Sequence, residues 1–486
     1  MALIALTILS GRRGSGAMAT LVMKFGGSSV GTAAALKQVL DTVANERGNW
    51  DHVLVVVSAL DGVTDMLFEV AQLARIANQR GYRRIAANLR SRHLAIIDQL
   101  PLGRPDRNTL QAEIDRLLSD VLDQCRSIAI NLNDELAPAS SDAVVATGER
   151  LSARIVEALL RQHEIRCAAV DGTDIMVTDD VYGNAHPDLA LTRQRVHETL
   201  LPMLQSDMIP VVTGFIGATP AGETTTLGRG GTDYTASALS ALLGADELWI
   251  WTGVDGMMSA DPHELADARV IARLSYDEAA DLAYFGARLL HSRMIAPLAE
   301  RKLPIRIKNI AAPEGMGTLV HTGTGDGAPS LKAVTSIHGL SLRRPAGGSL
   351  AGVTRLVGNT LFKTLGMRTE VMIASQSATS SFICLVIPTS IGIDGVDRLQ
   401  RALIAKMAEY PEKMPWKVGT VALVTAIGSK LHRAPMLQAQ VLECLRDIEI
   451  LGLALGASNC SFTVAVPANE ARSALRRIHK LIVKSD

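Results

Sequence analysis

The sequence predicts a layered α/β fold with a mostly parallel sheet, followed by two small α/β modules. Three observations lead to this prediction. Short runs rich in valine and isoleucine alternate with helical periods from Leu21 to about Asn309, as is typical of strands buried on both faces of a parallel sheet. The chain of 486 residues is too long for one ordinary core. Its C-terminal part repeats one β-α-β pattern.

The strand predictions rest on apolar runs that are short and lack polar alternation. The runs are Leu21–Phe25, Val53–Val57, Val144–Thr147, Cys167–Val170, Pro210–Thr213, Leu248–Trp251 and Ile305–Lys308. Helical spacing fills the intervals. Residues 66–137 show it almost throughout, which predicts a helical insertion whose role is packing rather than catalysis.

The chain divides into four predicted parts. Residues 1–17 are predicted to be a disordered extension or an over-extended start ahead of Met18, because Gly11 to Gly16 is typical of a flexible linker. An apolar start followed by Arg12-Arg13 reverses the order of a secretory signal. Residues 18–325 form the α/β domain, which ends in a glycine-rich linker near Gly323. Residues 326–390 and 391–486 are the two small modules, and each holds a helix followed by a pair of strands.

Charge and cysteine content narrow the class of protein. Basic and acidic residues balance at 49 each, so the overall charge gives no argument for a nucleic-acid surface. The five cysteines are widely spaced without a CxxC pair, which argues against a disulfide framework or a zinc site. No apolar run reaches the roughly 20 residues that a membrane span needs. We therefore expect a cytoplasmic protein whose partners are small molecules or copies of itself.

The first chemical motif is Lys24-Phe25-Gly26-Gly27-Ser28-Ser29, between a predicted strand and a predicted helix. Two glycines let the backbone approach a phosphate closely, and Lys24 can neutralise charge on transferring phosphoryl oxygens. The motif matches neither of the common nucleotide-binding patterns, so a tight strand–helix turn without a ligand is an equal alternative.

The second motif, TLGRGGTDYT at residues 226–235, combines three glycines, a cation, a carboxylate and several hydroxyls ahead of an apolar helix. The guanidinium fork of Arg229 suits a carboxylate or a phosphate, and Asp233 can hold Lys24 or orient Mg²⁺. A turn with a purely structural role seldom needs this mixture, so we expect a ligand site here.

The third motif is Thr147-Gly148-Glu149-Arg150. Its carboxylate, Glu149, can pair with the ammonium group of a substrate. The alternative is that a glutamate near the start of a helix interacts only with the helix dipole.

Longer stretches resemble one enzyme family. VMKFGGSSVG, VVVSALDGVTDML, ATGERLSARI, TGFIG, TTTLGRGGTDYTA, WTGVDGMMSADP and LSYDEAADLAYFGARLLH occur in the same order as in the aspartate kinases, a branch of the amino-acid kinase family. The resemblance covers roughly residues 20–320, and the tail resembles the paired ACT regulatory modules of these enzymes. It implies an amino-acid kinase domain with a mostly parallel sheet, followed by two ferredoxin-like ACT modules.

The resemblance also implies an activity. The expected reaction transfers a phosphoryl group from ATP to the side-chain carboxylate of L-aspartate and yields 4-phospho-L-aspartate, the first step towards lysine, threonine and methionine. ATP and Mg²⁺ are the implied cofactors, without a metal site built by protein side chains. The implied partners are a lysine or threonine effector and further copies of the chain in a homodimer or higher homo-oligomer, with no nucleic acid and no membrane.

The family pattern implies roles for individual residues. Lys24 and Asp233 are the implied catalytic pair, Arg229 the partner of the substrate α-carboxylate and Glu149 that of its ammonium group. The implied amino-acid contacts are Ser58, Thr64, Glu149, Arg229, Gly230, Gly231 and Thr232. The implied nucleotide contacts are Lys24, Gly26, Gly27, Ser28, Thr252, Gly253, Met258 and Arg288. The implied effector motif is Ser375, Gln376 and Ser377.

The chain departs from the family pattern mainly on the nucleotide side. Gly253 replaces an acidic residue, Met258 a common aromatic residue, His263 a common arginine and Arg288 a lysine. In the effector motif, Ser380 replaces a common glutamate. Two alternatives therefore stay open. One is a weak or inactive regulatory homologue that binds an amino acid through its ACT modules, and the other is a kinase that acts on another amino-acid carboxylate.

Overall fold

The computed structural model describes residues 18–130, 137–287, 290–323, 328–346, 350–365, 371–386, 392–408, 416–455 and 458–485. The predicted extension 1–17, most of the predicted linker near Gly323, and Arg288 lie outside these residues. The chain forms two compact units. The first comprises the residues up to Gly256 together with Arg293–His321, and the second comprises Met257–Ser292 and the chain from Thr322 onwards.

The first unit alternates strands and helices, as the sequence predicts. Its elements are β1 (Thr20–Phe25), α1 (Gly27–Val30), α2 (Ala33–Arg47), β2 (His52–Val57), α3 (Val63–Arg75), α4 (Gln79–Ile97), α5 (Arg104–Ile130), α6 (Ala137–Gln162), β3 (Cys167–Val170), α7 (Gly172–Ile175), α8 (Leu189–Gln205), β4 (Ile209–Thr213), β5 (Ile216–Ala218), β6 (Thr224–Thr226), α9 (Gly231–Leu243), β7 (Glu247–Thr252), α11 (Ile295–Arg301), β9 (Ile305–Asn309) and β10 (Thr318–His321).

The main sheet of this unit runs in the order β3-β4-β2-β1-β7-β9-β10. Its pairings are parallel up to β9, and β10 runs antiparallel to β9. Residues 21–23 of β1 and 55–57 of β2 have no exposed surface, which explains why these strands are continuous apolar runs. The mostly parallel α/β class predicted from the sequence is confirmed, and six of its predicted strands are present.

The strand predicted at Val144–Thr147 is wrong, because these residues lie inside helix α6. They are almost completely buried, as are Leu151, Ile155 and Leu159 further along the same helix. A helix that is buried on most sides carries an uninterrupted apolar run. Such a run cannot be distinguished from a buried strand by periodicity over four residues.

Helices α3, α4 and α5 follow β2 and account for the helical spacing of residues 66–130. Helix α5 begins at Arg104, directly after Gly103, and its buried stripe is Leu110, Ile114, Leu117 and Val121. These side chains share one core with α6 and with the strands β1 and β2. The helical layer therefore packs against α6 and helps to bury it.

The second unit contains the C-terminal part of the chain. Its elements are β8 (Arg273–Ser275), α10 (Tyr276–Tyr284), β11 (Ser330–Arg344), α12 (Ala351–Leu365), β12 (Val371–Gln376), β13 (Ser381–Val386), α13 (Gly392–Ala408), β14 (Lys417–Ser429), α14 (Pro435–Cys444), β15 (Gly452–Leu455), β16 (Ser461–Pro467) and α15 (Ala471–Ser485). The order from β11 to α13 repeats from β14 to α15, as two ferredoxin-like ACT modules require.

The two repeats share one sheet. Its strands run in the order β12-β13-β11-β14-β16-β15, and every pairing within it is antiparallel. The long central pair β11–β14 joins the repeats. One core lies under α12 and α13, with Leu340, Leu361 and Leu403 among its members. A second core lies under α14 and α15 and includes Val424 and Ile478.

None of the described helices is both long and apolar enough to cross a membrane.

Gly339 in the central strand β11 provides a test of this sheet. A Cβ atom at Gly339 would lie 2.3 Å from the carbonyl oxygen of Leu385 in β13, closer than real contacts allow. Since the strands must separate to admit it, we expect Gly339→Ala to lower the free energy of unfolding by about 1–3 kcal/mol. The matched control is Gly419→Ala in β14, whose Cβ would lie an ordinary 3.5 Å from Ser341 Oγ. Urea unfolding followed by circular dichroism compares the two, and equal midpoints would contradict the prediction.

Candidate active site

The carboxyl ends of β1, β2, β4 and β7 meet at one edge of the first unit's sheet, because these four strands are parallel neighbours. In open α/β sheets this edge is where ligands bind. Lys24 is the second-last residue of β1, Ser58 directly follows β2, and Thr252 ends β7. The topology therefore gathers residues from three of the motifs identified in the sequence.

Lys24 and Asp233 form an ion pair at this edge. The Lys24 Nζ atom lies 2.5 Å from Asp233 Oδ1, and the two side chains are only 12% and 13% exposed. Asp233 stands in the first turn of α9, where a carboxylate also interacts favourably with the helix dipole. The pair fixes a cation at the end of the central strand while leaving part of the ammonium group open to a ligand.

The glycine-rich turn after β1 surrounds this cation. A Cβ atom on Gly26 would lie 3.5 Å from Lys24 Nζ, and one on Gly27 would lie 3.1 Å from the carbonyl oxygen of Ala59. Ser29 Oγ donates a hydrogen bond of 3.2 Å to the carbonyl oxygen of Trp251, which ties the turn to β7. The contact at Gly26 is an ordinary one, whereas a side chain at Gly27 would crowd the backbone after β2.

Gly253 lies near the exposed side chain of Ser28. A Cβ atom on Gly253 would lie 4.0 Å from Ser28 Oγ. Thr252 precedes it and accepts a backbone hydrogen bond of 2.9 Å from Ile310. Four residues of the predicted nucleotide side, Gly26, Ser28, Thr252 and Gly253, thus come together beside Lys24.

Two further predicted nucleotide residues are Met258 and Arg288. Met258 belongs to the second unit, where it forms a β-bridge with Val270. Arg288 lies outside the described residues. Trp251 is 1% exposed and stacks on Phe25 at 6.2 Å between ring centroids, so its ring belongs to the core.

Glu149 is a buried carboxylate with one unused oxygen. Its Oε1 atom accepts a hydrogen bond of 3.1 Å from the backbone N–H of Ala59, whereas Oε2 has no hydrogen-bond partner among the described residues. Burial raises the pKa of Glu149 to about 8, although the hydrogen bond from Ala59 acts in the opposite direction. A buried acceptor of this kind is well suited to an ammonium group.

Gly148 explains how Glu149 reaches this position. A Cβ atom at Gly148 would lie 2.8 Å from Ala59 Cβ and 3.3 Å from Val63 Cγ1, so only glycine lets α6 approach the chain after β2 so closely. Ser58 precedes Ala59 and donates its backbone N–H to Phe25 at 3.1 Å. Thr64, half-buried, follows Val63 in the first turn of α3. The predicted residues Ser58, Thr64 and Glu149 therefore lie around one contact between helix and strand.

The loop that carries Arg229 runs from β6 to the start of α9. Gly228 and Gly230 have φ angles of +72° and +71°, which favour glycine, and Gly230 is the N-terminal cap of α9. The side chain of Arg229 is exposed between them. Thr232 packs on Gly214 at the end of β4, where a Cβ atom would lie 2.4 Å from Thr232 Cγ2. This contact sets the start of α9 against the sheet edge.

Three side chains around this loop were missed in the sequence. Asp142 on α6 is 4% exposed, and its Oδ2 atom accepts hydrogen bonds from the backbone N–H groups of Thr226 and Gly183 at 2.7 and 2.8 Å. Arg293 Nη1 donates to Asn184 Oδ1 at 3.1 Å. Asp142 precedes Glu149 by two helical turns, so the spacing of two carboxylates on one helix face was the available signal.

The predicted effector residues lie in the second unit. Ser375 and Gln376 end the strand β12, and both are exposed. Ser377 begins the following turn, where its Oγ accepts hydrogen bonds from the backbone N–H groups of Thr379 and Ser380 at 3.2 and 3.0 Å.

Known proteins similar to this chain belong to the family that its sequence motifs resemble. The model of the amino acid kinase family matches residues 19–309. Lysine-sensitive aspartokinase 3 of Escherichia coli (strain K12) is 29% identical over 467 residues, which cover 94% of this chain and 98% of the relative. Bifunctional aspartokinase/homoserine dehydrogenase 1, chloroplastic, of Arabidopsis thaliana is 30% identical over 473 residues. That alignment covers 94% of this chain, which spans about half the length of this and other bifunctional relatives.

Solved structures give the same relationship. The crystal structure of E. coli aspartokinase III in complex with aspartate and ADP (R-state) has a TM-score of 0.77 at 28% identity, covering 96% of this chain and 100% of that one. The complex of the same enzyme with lysine and aspartate (T-state) has a TM-score of 0.78 at 28% identity, covering 95% and 99%.

The titration of Glu149 can be tested without any ligand. Because burial raises its pKa from an ordinary 4.5 to about 8, the folded chain retains a proton that the unfolded chain releases between these pH values. The free energy of unfolding of the wild type should therefore fall as pH rises through this window, by up to about 1.4 kcal/mol per pH unit. Glu149→Gln keeps an acceptor for Ala59 but does not titrate.

The measurement is urea unfolding of wild type and Glu149→Gln at several values between about pH 5 and pH 8. All other titrating groups are common to both proteins, so the difference between the two curves reports Glu149. We expect the wild type to lose stability relative to the variant as pH rises. A difference that is independent of pH would show that Glu149 titrates normally.

Proposed function

Because the chain belongs to the amino-acid kinase family, we propose that it transfers the γ-phosphoryl group of ATP to the side-chain carboxylate of L-aspartate, yielding 4-phospho-L-aspartate. The observation that carries this proposal is the ion pair of Lys24 and Asp233 at the same sheet edge as a glycine-rich turn and the buried carboxylate Glu149. The likeness over nearly the whole chain to an aspartokinase that binds aspartate and ADP supports it.

An α-amino acid needs one partner for its ammonium group and another for its α-carboxylate. The open Oε2 atom of Glu149 is the proposed partner of the ammonium group, whose charge would compensate the cost of burying the carboxylate. Arg229 is the proposed partner of the α-carboxylate, because its fork can bind both oxygens. The proposed contacts of the side chain are Ser58, Thr64, Gly230, Gly231 and Thr232.

The proposed chemistry needs no covalent intermediate and no general base, since an aspartate side chain is already ionised at neutral pH. The bound carboxylate attacks the γ-phosphorus in line, and ADP leaves. Lys24 neutralises the charge that develops on the transferring oxygens, and Asp233 keeps Lys24 in place. Gly26, Gly27 and Ser28 are proposed to lie along the phosphates. Thr252, Gly253, Met258 and Arg288 are proposed to contact the rest of the nucleotide.

Mg²⁺ is proposed to arrive with the nucleotide, bound to its phosphate oxygens. In the part of the chain that the structure describes, no group of three or more His, Cys, Asp or Glu side chains is placed to hold a metal ion. The steps above use only protein groups and substrates.

For the whole chain we propose a catalytic domain at 18–325 behind an extension of residues 1–17, and two ACT modules in the C-terminal part, which the sequence alone predicts at 326–390 and 391–486. The modules are proposed to take lysine or threonine near Ser375, Gln376 and Ser377 and to join chains into a homodimer or larger assembly. The lysine in a T-state neighbour supports an amino-acid effector. Because α13 shares the core of α12, its packing favours a module division after Ala408. Five unpaired cysteines fit a reducing cytoplasm.

The first test of this function measures ADP release with L-aspartate, ATP and Mg²⁺. We expect aspartate-dependent turnover by the wild type and a kcat at least about 100-fold lower for Lys24→Ala, because one preorganised charge at the reacting group contributes a factor of this size. Lys37→Ala, an exposed lysine on α2, should retain the wild-type rate. Folded wild type without turnover on any carboxylate amino acid would favour a regulatory homologue, and turnover on another amino acid alone would change the substrate.

A second test concerns Arg229. Arg229→Lys keeps the charge but loses the fork, so we expect KM for L-aspartate to rise about tenfold with KM for ATP nearly unchanged. Arg116→Lys, an exposed arginine on α5, is the control. Steady-state kinetics with each substrate varied in turn makes the comparison. An equal rise in both KM values would argue against a contact with the amino acid.

A further inference from the structure

We propose that Asp142 is a positioning residue for the amino-acid substrate: from helix α6 it holds the loop that presents Arg229 at a fixed distance from Glu149. This inference rests on the proposed function, because it concerns how that site grips its substrate. Asp142 is placed beneath the loop and acts through Arg229.

The Asp142 carboxylate holds backbone segments in place through hydrogen bonds. Its side chain is 4% exposed, and its Oδ2 atom accepts the backbone N–H of Thr226 at 2.7 Å and that of Gly183 at 2.8 Å. Hydrogen bonds to a buried carboxylate are stronger and shorter than those between neutral groups. Thr226 is the last residue of β6, three positions before Arg229. One carboxylate oxygen thus fixes the start of the arginine loop to α6.

The same oxygen joins a second chain segment to the loop. Gly183 and Asn184 run beside it, and the backbone N–H of Ala185 donates to the carbonyl oxygen of Thr226 at 2.9 Å. The two segments are so close that a Cβ atom on Gly228 would lie 2.7 Å from Asn184 Oδ1. Asp142 therefore anchors a pair of backbone segments, and a pair resists displacement better than a single loop.

Arg293 closes the other side of this pair. Its Nη1 atom donates to Asn184 Oδ1 at 3.1 Å and to the carbonyl oxygen of Leu227 at 3.2 Å, and its guanidinium lies 5.6 Å from the centre of the Tyr234 ring. The loop is consequently held at two points, by a hydrogen bond to the Asp142 carboxylate and by a hydrogen bond from the Arg293 guanidinium group. Arg229, exposed between Gly228 and Gly230, projects from a base that is fixed at both points.

Helix α6 sets the distance between Asp142 and Glu149. Asp142 and Glu149 are seven residues apart, so they lie on the same face and about 10 Å apart along the helix axis. A buried helix within a close-packed core does not change length. The helix therefore sets the separation between the carboxylate proposed to bind the substrate ammonium group and the base of the loop that carries the proposed partner of its α-carboxylate.

The test compares Asp142→Ala and Asp142→Asn with wild type, with L-aspartate and ATP varied in turn. We expect Asp142→Ala to raise KM for L-aspartate about tenfold or more while KM for ATP changes less than about twofold. The reason is that only Arg229, the proposed partner of the amino acid, is displaced. Asp142→Asn keeps an acceptor oxygen but loses the charge, so its effect on the same KM should be smaller. Ser152→Ala, a buried residue on the same helix, should leave both KM values unchanged.

Hydrogen exchange gives a second readout that needs no substrate. We expect the amides of Thr226 and Gly183 to exchange faster in both Asp142 variants, with exchange elsewhere in α6 unchanged. If Asp142→Ala does not fold, Asp142→Asn decides the matter by the same two measurements.

Failure of the inference and failure of the proposed function are distinguishable. Wild type without aspartate-dependent turnover would overturn the function and this inference with it. Wild type with turnover, together with Asp142 variants that leave KM for L-aspartate unchanged or raise both KM values alike, would overturn the inference alone. Unchanged exchange at Thr226 and Gly183 would also overturn it, since the loop would then be held by other contacts.

Discussion

Strand β1 hydrogen-bonds in parallel to β2 on one side and to β7 on the other, with its apolar side chains buried on both faces. Everything at the site depends on this burial. The parallel pairing brings the end of β1 to the same sheet edge as the ends of its neighbours. The burial leaves Lys24 only partly exposed there. The glycine turn that follows can then approach the backbone after β2 closely, because no side chain intervenes.

Three carboxylates, of which Asp142 and Glu149 are buried and Asp233 is partly buried, differ in the partners that they find. Asp233 pairs with the Lys24 ammonium group, and Asp142 accepts hydrogen bonds from two backbone N–H groups, whereas Glu149 has one N–H donor and one unused oxygen. Burying a carboxylate without a partner is unfavourable, which is why the pKa of Glu149 is raised to about 8. The site is therefore electrostatically incomplete at one position, and a ligand ammonium group is the complement of that position.

The segment 257–292 is folded against the tail within the second unit. Ser259 Oγ lies 2.8 Å from Nε2 of the buried His479 on α15. The buried Glu278 on α10 accepts from Lys332 at 2.7 Å, and Asp281 accepts from Ser458. These contacts join α10 and the Ser259 region to three different parts of the tail.

The sequence by itself determined the α/β class, six strands of the first unit and the glycine-rich motifs, because buried strands and special backbone angles restrict residue type locally. Only the tertiary structure decided that Lys24 meets Asp233, that residues 144–147 are helical, and that both C-terminal repeats share one sheet. It also placed the Asp142 carboxylate against the backbone N–H groups of Thr226 and Gly183. These features depend on contacts between residues far apart in the chain, and local periodicity carries no information about which distant partner a buried group will find.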